Sequence, residues 1–77
     1  MTHEIKILPD YFDAAICGAK RFELRKNDRN YKPGDIVIMR EWNGASYTGN
    51  EIEVEITYVL KNCPEYGLQK EYCIFGW

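Results

Sequence analysis

Gly18-Ala19-Lys20-Arg21-Phe22-Glu23-Leu24-Arg25-Lys26 is the stretch in which apolar residues change from helical spacing to a spacing of two. On its N-terminal side Phe12, Ala15 and Ile16 fall at i, i+3 and i+4, the mark of a short amphipathic helix. Pro9 suits the first helical position, Asp10 complements the positive helix end, and Gly18 ends the helix. A helix of about nine residues does not hold itself in water, so it must dock on a sheet. From Arg21 to Lys26 the pattern is that of a strand, with Phe22 and Leu24 on one face and Glu23 and Arg25 on the other.

Working outward, Ile5-Lys6-Ile7-Leu8 reads as a first strand and Asn27-Asp28-Arg29-Asn30 as a loop. Pro33-Gly34 fits the centre of a type II turn and leads into Ile36-Val37-Ile38-Met39, apolar on both sides and therefore central in a sheet. Trp42-Asn43-Gly44 and Tyr47-Thr48-Gly49-Asn50 predict a loop between strands. Ile52, Val54, Ile56, Tyr58 and Leu60 then alternate with Glu51, Glu53, Glu55 and Thr57, a half-buried strand with a solvated acidic face. A second loop spans Asn62 to Gly67, and Tyr72 to Phe75 forms a closing strand. The order β-α-β-β-β-β predicts a single α+β domain over residues 1–77: a small β-barrel or bent mixed sheet with one short N-terminal helix.

The 77 residues are 45% hydrophobic and 14% aromatic, enough for a compact core and contrary to disorder. No segment has the roughly 18–20 apolar residues of a membrane span, and Met1-Thr2-His3-Glu4 does not begin a signal peptide. Cys17, Cys63 and Cys73 are odd in number and lack CxxC spacing, which points to a reducing, cytoplasmic setting without disulfides. One histidine and scattered thiols predict no metal, and nothing indicates a cofactor. The net charge of −2 hides an asymmetry. Lys20, Arg21, Arg25, Lys26, Arg29 and Lys32 outnumber Glu23 and Asp28, whereas Glu41, Glu51, Glu53 and Glu55 occupy a span without lysine or arginine. Such a chain is no indiscriminate duplex binder, but its basic block suits a specific anionic ligand.

Lys20, Glu23, Arg25, Asp28 and Arg29, with Lys6 on the polar side of the first strand, are the candidate binding residues. A guanidinium clamps phosphate or stacks on a base, and a carboxylate accepts from a base amino group. Lys20 is suited to phosphate or, once desolvated, to taking a proton. Plainer uses compete with these. Glu23 and Arg25 can pair with charges on neighbouring strands, and Arg29 can pin its own loop through Asp28. His3 is expected in solvent and Cys17 as a buried structural thiol, while Trp42 and Tyr47 offer either stacking planes or packing.

The run Gly18, Lys20, Glu23, Arg25 is similar to the GxKxxExR signature of ASCH domains in the PUA-like superfamily. The chain as a whole resembles a compact ASCH-related family of unknown function found in bacteria and phages. The likeness runs through His3-Glu4-Ile5-Lys6, Tyr11-Phe12, Phe22-Glu23-Leu24-Arg25-Lys26-Asn27-Asp28-Arg29, Gly34-Asp35, Glu41, Tyr47-Thr48-Gly49 and Tyr66-Gly67. The resemblance implies a bent PUA-like barrel that binds RNA or a modified nucleotide in a cleft near the helix. It also implies an alternative, since some ASCH proteins are amidohydrolases acting on acylated cytidine through a lysine, a threonine nucleophile and a glutamate. Lys20 matches that lysine, but Glu23 stands at the threonine position and Arg21 replaces the other signature threonine, so the acyl-accepting hydroxyl is missing. If there is hydrolysis, Lys20 and Glu23 are its candidates, acting around a water. A third reading is an interaction adaptor whose acidic strand or aromatic loops bind a protein.

Overall fold

The computed structural model describes residues 1–77 and contains the one expected helix, α1, over Pro9–Ile16, with Pro9 at its start. Around it lie β1 (Thr2–Ile7), β2 (Phe22–Lys26), β3 (Ile36–Trp42), β4 (Tyr47–Glu55), β5 (Tyr58–Leu60), a 3₁₀ turn at Pro64–Tyr66, and β6 (Tyr72–Gly76). The strands form two three-stranded sheets, β1-β3-β4 and β2-β6-β5. The first is mixed, with β1 parallel and β4 antiparallel to β3; the second is antiparallel. The α+β class and the central place of β3 agree with the sequence reading, whereas a closed barrel does not form.

On one side the chain itself joins the sheets. Ile56 donates its amide to the Asp35 carbonyl ahead of β3, and the next residue, Thr57, donates to Gly76 of β6. This corner corrects the expectation of one continuous strand through Leu60. Ile52, Val54 and Ile56 keep their inward phase, but after Thr57 the phase slips. Tyr58 and Leu60 turn to solvent, and Val59 packs against the core. On the other side no ladder links β1 to β2. Instead Arg25 Nη1 donates to the Lys6 carbonyl at 3.0 Å and Arg29 Nη1 donates to the Glu4 carbonyl. These two carbonyls lie two residues apart on the free edge of β1, so the arginines satisfy acceptors that a neighbouring strand would otherwise take.

The turn before β3 has the expected form: Asp35 donates to the Lys32 carbonyl at 3.1 Å, and Gly34 takes φ +91°. An L-residue there meets the left-handed steric penalty. The core comprises Ile5, Ile7, Phe12, Ala15, Tyr31, Val37, Met39, Ile56, Cys73 and Phe75. Tyr47-Thr48-Gly49-Asn50, expected in a loop, belongs to β4. The register shifts there, so that Thr48, Gly49 and Asn50 bulge opposite Glu41. Turn-forming residue types in this case mark a bulge inside a strand.

Candidate functional site

The inner and outer faces of β2 are the reverse of what apolarity alone dictates. Glu23 pairs across the ladder with Phe75 and Arg25 with Cys73, both fully buried, so the charged residues share the inner face. Phe22 and Leu24 point outward at 52% and 55% exposure. The side chains of Lys20 and Glu23 are only 14% and 12% exposed, and Lys20 Nζ bonds Glu23 Oε1. Lys20 Nζ also donates to the Phe22 carbonyl at 2.6 Å, while Glu23 Oε2 receives Arg25 Nη1 at 3.2 Å. Glu23 and Arg25 thus pair directly along their own strand.

A recess of about 510 Å³ opens over this pair, between α1 and the free edge of β2, lined by Tyr11, Ala14, Ala19, Lys20, Phe22, Glu23 and Leu24. A second lobe of about 360 Å³ shares Tyr11, Glu23 and Leu24 and reaches Lys6, Arg25 and Lys26 along the seam between β1 and β2. Around the Lys20 ammonium stand the rings of Phe22, Trp77 and Tyr11, with centroids at 5.4, 5.6 and 6.0 Å. Their faces offset part of the cost of removing the charge from water. An ammonium has three donors and Lys20 uses two, and an ionised carboxylate keeps lone pairs beyond the two that Glu23 fills. Adjacent donor and acceptor sites therefore remain beside aromatic walls, an edge suited to a planar heterocycle.

Of the six candidates, Lys20, Glu23, Arg25 and Lys6 line this two-lobed recess, and Asp28 and Arg29 do not. Arg29 lines a separate hollow with Met1, Asn30, Lys32 and Asp35, and its bond to the Glu4 carbonyl replaces the expected anchor on Asp28. Trp42 and Tyr47 meet edge-on, and each already carries a cation on its ring. Lys6 Nζ lies 4.2 Å from the Trp42 ring centroid, and the Arg40 guanidinium 4.2 Å from that of Tyr47. Burial pushes the Tyr31 phenol above its ordinary pKa, with the nearby Arg25 and Arg29 acting in opposition, and burial also pushes up the Cys73 thiol.

Three buried polar groups, His3, Asp35 and Glu41, escaped the sequence reading, and Cys17, expected to be buried, is exposed. His3, expected in solvent, is 5% exposed; its Nε2 meets Asp35 Oδ2 at 2.8 Å and its ring packs against Tyr31. Its alternation with Ile5 and Ile7 was the available signal, since all three occupy inward positions of β1. Glu41 is likewise buried. Its Oε1 accepts from Thr48 Oγ1 at 2.7 Å and Asn50 Nδ2 at 3.1 Å, so the β4 bulge is shaped around a carboxylate. No three His, Cys, Asp or Glu side chains converge as a metal-binding group, and no helix is long and apolar enough to cross a membrane.

Comparison with known proteins places this chain in a family. The chain is 47% identical over 57 residues to the "uncharacterized 12.9 kDa protein in GpA 3′ region" of Escherichia phage P2. That alignment covers 74% of this chain and 52% of the phage protein, so the match spans about half of the relative's length. The profile of a domain of unknown function, DUF3850, matches residues 2–77, nearly the whole chain. The chain belongs to the DUF3850 family.

Proposed function

We propose that the chain is a nucleotide- or RNA-binding domain of the PUA-like, ASCH-type class that holds a base-sized ring over the Lys20–Glu23 pair. The observation that carries this reading is the reversal on β2. A strand that turns Glu23 and Arg25 inward commits its core-facing positions to an ion-pair network with the largely desolvated Lys20 instead of to apolar packing. Such departures from folding economy concentrate at functional sites. Aromatic walls, a volume in the range of small-molecule sites, and residual donor and acceptor capacity at the floor favour a flat polar ligand. Lys6 and Lys26 in the second lobe lie where a phosphate or the next nucleotide would leave the ring. The PUA-like reading takes the two sheets as an open barrel whose seam is the cleft, and a cytoplasmic setting accords with three free thiols. No serine, threonine or cysteine lines either lobe, so the hydroxyl or thiol that would carry an acyl intermediate is missing there, and with Lys20 and Glu23 already paired to each other binding is the better reading.

The test is titration of the whole chain with nucleoside monophosphates and short single-stranded oligoribonucleotides at low salt, read by NMR shifts and by fluorescence anisotropy. Shifts should centre on Lys20, Glu23 and Leu24. Lys20→Met should weaken binding by roughly tenfold or more, the worth of one charge-assisted hydrogen bond. Glu53→Ala, on the outward face of β4, should leave it unchanged. If both classes of ligand bind nowhere on the chain, or bind equally well to Lys20→Met, the reading is wrong.

A further inference from the structure

The outward faces of the two sheets differ in kind. Across β1, β3 and β4 the rows are Thr2–Ile36–Glu55, Glu4–Ile38–Glu53 and Lys6–Arg40–Glu51, with mainly polar side chains on both edges. That is the composition of a sheet face bathed in water. Across β2, β6 and β5 the corresponding rows are Phe22–Gly76–Tyr58 and Leu24–Ile74–Leu60, continued by Lys26–Tyr72. Tyr58 is 66% exposed and Leu60 40%, beside the outward Phe22 and Leu24. Gly67, Leu68 and Gln69 border Leu24 and Tyr72 at one end of this face, and Phe22, Tyr58 and Leu60 stay exposed beyond them.

The exposed apolar area on this face is about 600 Å², the upper end of what monomers carry. Two such faces pressed together bury about 1,200 Å² in total, which reaches the lower bound of stable specific interfaces. The charges around the face are compatible with a second copy of it. At one end Lys26 and Glu71 lie 3.9 Å apart, so the rim carries both signs and like charges need not meet. The acidic row Glu51, Glu53 and Glu55, which would repel its own copy, lies on the other sheet.

We infer that the outward face of the β2-β6-β5 sheet is the interface of a two-fold homodimer. Because Phe22 and Leu24 belong both to this face and to the wall of the recess, the second copy borders the mouth of the binding site. The inference stands on the exposed face and not on the identity of any ligand.

Sedimentation of the whole chain from low micromolar to submillimolar concentration tests it, with Leu60→Glu as the variant and Glu53→Lys as the control. The expected result is a species of twice the 9.1 kDa chain mass. Leu60→Glu should raise the dimer dissociation constant about a hundredfold, because it places a carboxylate within the apolar row Leu24–Ile74–Leu60 of the contact. Glu53→Lys should leave the constant unchanged. A wild-type chain that stays monomeric throughout overturns the inference and leaves the face to a different protein. So does a folded Leu60→Glu variant that dimerises as well as wild type, or a dimer lost on Glu53→Lys. Should Leu60→Glu fail to fold, concentration-dependent amide shifts in wild type decide the matter: clustering on β2, β5 and β6 supports the interface, and clustering elsewhere defeats it.

Discussion

Asp35 accepts three hydrogen bonds: from the His3 ring at 2.8 Å, and from the terminal amine and the Lys32 amide at 3.2 Å each. An ionised carboxylate only accepts, so His3 Nε2 carries the proton in this arrangement. The His3 hydrogen bond is the leading cause that holds the Asp35 carboxyl below its ordinary pKa, with the amine and the Lys32 amide adding to it against partial burial. A carboxyl whose folded pKa is depressed contributes stability that is present above the unfolded value of about 3.9 and is lost as pH falls through the lower folded value. Asp35→Asn should therefore lower stability at neutral pH and flatten the acid limb below about pH 4. Urea denaturation midpoints measured from neutral pH down to pH 3 check this. A variant that loses stability on acidification as steeply as wild type would show that Asp35 is not the residue responsible.

The bulge in β4 shows how an element can be misread locally and still be specified. Tyr47-Thr48-Gly49-Asn50 has turn composition, and Gly49 takes φ +96°, but the run sits within a paired strand because Glu41 on β3 recruits Thr48 and Asn50. Glu41→Leu removes the acceptor of two hydrogen bonds to a charged group, at a cost of about 1–3 kcal/mol even though the exposed Thr48 and Asn50 donors can turn to water. Glu41→Gln keeps an acceptor oxygen and should recover much of that loss. The measurement is chemical denaturation alongside amide exchange at Gly49 and Asn50; equal stability of the leucine and glutamine variants would refute the role. The corner at Thr57 was hidden for a related reason. The alternation from Ile52 to Leu60 is unbroken in sequence, and the phase slip arises only because successive amides bond strands in different sheets. By contrast α1, the Pro33-Gly34 turn and central β3 were legible, since each follows from local stereochemistry or from an apolar run with a single reading.

At the scale of the molecule, the basic block that looks like an anion footprint in sequence is largely consumed by the fold. Glu23 holds Lys20 and Arg25, Arg29 caps a β1 carbonyl, and Arg21 Nε donates to the Trp77 carbonyl at 3.3 Å. The sequence places Lys20, Glu23 and Arg25 near one another. Which face of β2 turns inward, however, is set by its pairing with Cys73 and Phe75 some fifty residues away, so no local pattern discloses the recess. This changes what salt should do to nucleic-acid binding. Four independent cations on a single strand would give a log–log salt slope near −3, whereas only Lys6 and Lys26 flank the second lobe without a carboxylate closer than 3.9 Å. Two phosphate contacts give a slope of about −1.4, and Lys26→Ala should bring it to about −0.7. Anisotropy titrations of a short oligoribonucleotide across a series of salt concentrations measure both values. A wild-type slope near −3 would mean that Lys20 and Arg25 leave Glu23 to meet phosphate, which is incompatible with their pair serving as the floor of a base-binding recess.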